Sequence, residues 1–181
     1  GKVNFRQRDL LVTIKDDCIS FNFENIQIPN KISELIKSRV NILPLSEKIL
    51  VETLVIYGES IDLHLLEDIL LGVGIDKEQI GKSLKMLFEK RIILRIFESG
   101  SIRIKCFNNI IQKTCEENIQ EETKNKINYE IGKILSTYTD IDVETKIKAG
   151  IHFLNGLKFK NAIQVLFPAI DELKKLNRIL K

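Results

Sequence analysis

The chain has 181 residues, a formal net charge of +3 and 44% hydrophobic residues, enough for one or two globular cores and incompatible with a long disordered tail. No apolar run is long enough to span a bilayer and the N-terminus lacks the basic-then-apolar order of a signal peptide, so a cytoplasmic location without membrane attachment is expected. The charge is too small to argue for nucleic acid by itself, and Cys18, Cys106 and Cys115 form no CxxC pair, which points to buried thiols rather than to disulfides or zinc.

In chain order, Leu10 to Ile14 and Cys18 to Phe23 alternate apolar and polar residues around Lys15-Asp16-Asp17, the pattern of a hairpin. Two strands alone are marginally stable, so this hairpin either packs on the following helices or belongs to a larger sheet. Pro29 opens a helix carrying Ile32, Leu35, Ile36 and Val40, which ends near Leu43-Pro44. Ser46 with Glu47 starts the next, with Ile49, Leu50, Leu54 and Tyr57 as one stripe and Gly58 as its stop. Asp62 caps a third helix that turns Leu63, Leu66 and Leu70 inward and is broken by Gly72 and Gly74. Asp76 caps a fourth, where Ile80, Leu84, Leu87 and Phe88 share one face and Lys77, Lys82, Lys85 and Glu89 lie elsewhere.

Ile92 to Phe97 and Ile102 to Cys106, turned by Ser99-Gly100, read as a two-stranded ribbon with its apolar residues toward the helices. After Phe107 the pattern is helical throughout. Ile110, Ile111, Cys115 and Ile119 form one stripe, Ile127, Ile131, Leu135 and Tyr138 a second, and Val143, Ile147, Ile151 and Leu154 a third. A last helix holds Ala162, Ile163, Leu166, Ala169, Ile170 and Leu173, with Pro168 expected to kink or interrupt it. Leu173, Leu176, Ile179 and Leu180 then leave an apolar face with nothing after it to cover it, as in a helix that folds back or an excised piece of a longer chain.

This order predicts a mainly α fold with a small β component. Residues 1–44 form the hairpin and linking helix, 45–120 a winged-helix domain, and 121–181 helical hairpins resembling tetratricopeptide repeats. The segment Ile28-Pro29-Asn30-Lys31-Ile32 leading to Arg39, and Leu45-Ser46 before a helix, resemble the region following the nucleotide-binding domain in signal-transduction ATPases with numerous domains. Phe107-Asn108-Asn109 is similar to that family's Phe-x-His opening, with asparagine in place of histidine. Gly150-Ile151-His152-Phe153-Leu154, followed by Asn161-Ala162-Ile163 and Ala169, is similar to the passage into its repeats. The resemblance implies a middle fragment of a regulator, with the ATPase upstream and more repeats downstream. It also implies a winged helix acting as an intramolecular clamp and helical repeats acting as a protein-binding scaffold. The partners implied are the chain's own nucleotide-binding domain and other proteins, with no cofactor in this segment and no evident small-molecule substrate.

No catalytic set is legible. Gly81-Lys82-Ser83 resembles the end of a phosphate-binding loop, but Asp76 occupies the place of its first glycine and the residues lie inside an amphipathic helix. Gly72-Val73-Gly74 lacks the third glycine of a dinucleotide fingerprint. His64 and His152 have no ligand at metal spacing and read as helix histidines satisfied locally, while Asp16-Asp17 read as turn residues. The competing function is a DNA-binding transcriptional regulator. For it, Lys77, Lys82, Lys85, Lys90 and Arg91 on or beside the fourth helix would meet phosphates together with Arg95, Arg103 and Lys105 on the ribbon. Glu78 and Glu89 on the same helix, and few base-reading side chains near its start, weigh for protein contact instead.

Overall fold

The computed structural model describes residues 4–7, 10–15, 18–22, 30–98, 100–138 and 142–179, and its side chains from residue 34 to residue 175 within those ranges. The molecule is mainly helical, with eight helices and two small antiparallel sheets among the described residues. The first sheet orders β1 (Asn4–Gln7), β2 (Leu10–Lys15) and β3 (Cys18–Asn22), with Val12 opposite both Phe5 and Phe21. The expected hairpin is thus β2–β3, and β1 adds a third strand that the sequence reading did not include. Asp16, Asp17 and Pro29 lie outside the described residues.

Helix α1 (Asn30–Asn41) is followed by α2 (Leu45–Tyr57), a two-residue strand β4 (Ile61–Asp62), α3 (Leu63–Val73) and α4 (Lys77–Glu89). Strands β5 (Ile93–Glu98) and β6 (Ser101–Cys106) then form a hairpin, and α5 (Asn109–Glu116) follows. In the second sheet β6 is central, with Ile61 of β4 opposite Ile104 and Phe97 of β5 opposite Ile102. Gly100, at φ +80°, supplies the left-handed residue that a two-residue connection needs.

Local chemistry explains most boundaries. The Asp62 carboxylate accepts from the His64 backbone N–H at 2.9 Å and Asp76 accepts from that of Gln79 at 2.9 Å, so both act as the N-caps their positions suggested. Gly58 and Gly74 end α2 and α3 in left-handed conformations. Three expectations need correction. Helix α2 begins at Leu45 after Pro44, and no side chain caps it. Gly72 lies within α3, where a Cβ would meet the Glu130 carboxylate, so its bareness permits a close approach rather than a break. Helix α2 is buried nearly all round, from Leu50 to Val55, rather than along one stripe.

Helices α6 (Glu121–Thr137), α7 (Val143–Asn155) and α8 (Phe159–Ile179) complete the chain. One hydrophobic cluster runs without interruption from Val40 of α1 through α2, α3 and α4 to Ile127, Ile131 and Leu135 of α6 and Ala149 of α7. Each large side chain removed from water in such a cluster contributes about 1.5–3 kcal/mol. Helix α8 continues through Pro168, because both Pro168 and Gln164, whose carbonyl loses its donor, face solvent. No helix among the described residues is long and apolar enough to cross a membrane.

Candidate interaction surfaces

The outward face of α4 carries Glu78, Lys82, Lys85 and Glu89, two acids and two bases at helical spacing. Lys82 is paired with Glu78 at 2.6 Å. Lys77, Lys85, Arg91 and Lys105 are exposed, and Lys90 is half-buried. Arg103 is engaged within the fold: Nε donates to Ser60 Oγ at 2.9 Å, Nη2 donates to the Ser60 carbonyl, and Glu98 lies at 3.5 Å. Arg95 sits 5.0 Å above the Phe88 ring. Arg91 closes α4 at φ +52°, where its own N–H and that of Ile92 bond the carbonyls of Phe88 and Leu87. From α1, Arg39 Nη2 donates to the Lys90 carbonyl at 3.1 Å, a cation at the negative end of α4. Gly81, Lys82 and Ser83 lie inside α4 with the Ser83 hydroxyl buried, a geometry that offers no loop to a phosphate.

Beside the polar turn Glu98-Ser99-Gly100-Ser101, the end of the hairpin carries an exposed apolar pair. Phe97 is 77% exposed and pairs across the strands with Ile102, itself 37% exposed. Ile102 shares its strand face with Ile104 and Cys106, as the alternation suggested, but lies at the far end of the ribbon, where the helices no longer cover it.

A polar seam joins α2 to the helical tail. His152 is 6% exposed, and its Nδ1 donates to Asn128 Oδ1 of α6 at 2.8 Å, while Asn128 Nδ2 donates to the Lys124 carbonyl and so fixes the amide's orientation. The imidazole stacks on Tyr57 of α2 with centroids 6.2 Å apart, and the Lys148 ammonium lies 3.6 Å from the Tyr57 ring centroid while pairing with Glu59. Burial, and secondly Lys148, pull the His152 pKa down to about 4, so the ring is neutral near pH 7. This histidine is satisfied across 24 residues, not locally, and the burial of α7 turns accordingly. Ala149, Gly150, His152 and Phe153 point inward, while Ile151 and Leu154 are 48% and 40% exposed.

Beside the seam lies a cleft of about 470 Å³ lined by Tyr57, Asp62, Tyr138, Asp142 and Lys148. Most of its charged groups are engaged: Asp62 and Asp142 cap α3 and α7, and Lys148 is paired with Glu59, while Glu144 at its edge makes no ion pair among the described residues. The Asp142 carboxyl is held below the usual range by the Thr145 backbone N–H, and burial with nearby Asp68 raises Tyr138. Burial pushes Cys106 up to about 12 and Cys115 to about 11, which keeps both thiols protonated and unreactive. Among the described residues no group of three His, Cys, Asp or Glu is placed to hold a metal ion.

The third surface is the α7–α8 hairpin. Gly150 meets Leu166 where the helices touch, and Ala162 and Ala169 are fully buried on the same side of α8. Phe159, Ile163, Phe167 and Ile170 form a second apolar stripe on α8, 44–64% exposed, instead of the inward face expected of Ile163 and Ile170. With Gly150 and Leu166 marking the contact, helical phase puts this stripe and Ile151 and Leu154 on one side of the hairpin. No family model, curated protein or solved structure matches the chain.

Proposed function

We propose that the chain is a non-catalytic regulatory and interaction segment, in which α2–β4–α3–α4–β5–β6 is a winged helix and α6–α8 begin an array resembling tetratricopeptide repeats. In this reading the winged helix clamps the nucleotide-binding domain of a signal-transduction ATPase with numerous domains, and the helical tail is a scaffold for protein. The parent's cytoplasmic location belongs to the same proposal. The order of helix, short strand, two helices and hairpin supports the winged helix. The continuous core supports a tail that moves with it.

The observation that carries the reading is the wing tip. A phenylalanine 77% in water beside an exposed isoleucine suits a protein surface, where aromatic anchors dominate binding energy, better than a phosphate backbone. The charge-balanced face of α4 points the same way. DNA contact remains the second reading, favoured by Lys77, Lys85, Arg91 and Lys105, which make no ion pair among the described residues. The test is calorimetric binding of the chain to the nucleotide-binding module of the same protein. Association weakened tenfold or more, by about 1.4 kcal/mol, in Phe97→Ser with unchanged helical content is expected. No association, or association indifferent to Phe97, contradicts the clamp.

A further inference from the structure

We infer that the exposed face of the α7–α8 hairpin is a self-association surface on which α8 of two copies packs antiparallel; this deepens the scaffold reading by naming its partner. The first support is area. Ile151, Leu154 and Leu157, with Phe159, Ile163, Phe167 and Ile170, are each 40–64% exposed. Together they leave on the order of 700 Å² of apolar side chain in water, above the largest patch of an ordinary monomer and near the roughly 800 Å² per partner of a standard interface.

The second support is charge. Lys160 and Asp171 are eleven residues, or about three turns, apart, so both stand on the same flank of the stripe, the flank away from α7. In an antiparallel pair related by a two-fold axis, residues on the same flank meet. Lys160 then faces the partner's Asp171, and Asp171 faces the partner's Lys160. In a parallel pair the same flank would meet the opposite one, where Ala162 and Ala169 are buried against the protein and offer no charge. Apolar matching selects the same register. Antiparallel pairing of Ile163 with the partner's Phe167, of Phe159 with the partner's Ile170, and of Lys160 with the partner's Asp171 all centre within half a residue of Val165. Lys160 has no ion pair among the described residues, and Asp171 makes an exposed contact with Lys174 at 3.6 Å, weak enough to exchange.

The test is sedimentation velocity on the full chain over about 1 to 100 μM, the range in which an interface of this size is populated. A concentration-dependent dimer is expected. Phe167→Glu should abolish it while circular dichroism keeps the helical signal, because Phe167 is 64% exposed. Lys160→Glu and Asp171→Lys should each raise the dimer Kd about tenfold, and the double exchange should restore it to within about threefold. A chain that stays monomeric throughout overturns the proposal, including one that is monomeric yet captures a foreign amphipathic helix. So does a dimer whose Kd ignores both charge reversals, or in which the double exchange is no better than the singles. Binding to the nucleotide-binding module is read separately, so failure of the clamp and failure of self-association are distinguishable.

Discussion

Acid should loosen the seam between α2 and α7 through one residue, His152. Its folded-state pKa of about 4 lies below the ordinary 6.5, so between those values the unfolded chain binds a proton that the folded chain does not. Stability therefore falls as pH drops through that window. The two values imply a loss of about 2–3 kcal/mol between pH 7 and pH 4.5, a large fraction of the stability of an ordinary domain. Protonation would place a second cation beside Lys148 at a site 6% exposed, with Tyr57 on its face and only the Asn128 oxygen to accept. Urea unfolding of the native chain and of His152→Gln at both pH values isolates the effect, because other titrations are common to the two proteins. Glu52, whose pKa burial raises, acts with the opposite sign in both, since its neutral form is the one the fold tolerates. The native chain should lose about 2–3 kcal/mol more than the variant on acidification. Equal losses would show that His152 is solvated and that the seam does not hold it neutral.

Two glycines test packing with opposite outcomes. Gly156→Ala should cost about 1–3 kcal/mol in thermal unfolding, because its Cβ would lie 2.8 Å from the Tyr129 backbone nitrogen, which cannot move away. Gly72→Ala should stay within about 1 kcal/mol of the native chain, because only the Glu130 carboxylate must swing aside and helix propensity improves. At the end of α4, Arg91→Gly should stabilise by about 0.5–1 kcal/mol by relieving a left-handed backbone at φ +52°, less the added freedom of the unfolded glycine. Destabilisation there would mean that the guanidinium makes a contact the fold depends on.

Elements with caps and regular periodicity were legible in the sequence. Asp62, Asp76, Gly58 and Gly74 mark ends that side-chain and backbone chemistry fixes locally. Strand β4 was not, because two residues carry no period and Ile61 becomes a strand only by pairing with Ile104. The faces of α7 and α8 were misread for a related reason: both helices are apolar on two sides, and only the Gly150–Leu166 approach determines which side is inside. The His152–Asn128 bond joins residues 24 apart, yet Asn128 standing between Ile127 and Ile131 was a readable sign of a polar partner on a core face. The basic residues of α4 and the ribbon were found at the surface, but the engagement of Arg103 with Ser60 and Glu98 depends on β4 meeting β6.

The central claim, that the winged surface meets protein rather than nucleic acid, is tested most directly by titrating the chain into labelled duplex DNA at several salt concentrations. Affinity no tighter than the roughly 10⁻⁴ to 10⁻⁶ M of non-specific binding at physiological salt, unaltered by Lys82→Glu with Lys85→Glu, is the expected result. Sub-micromolar binding that falls steeply with salt and vanishes in that double variant would contradict the account and assign α4 to the duplex.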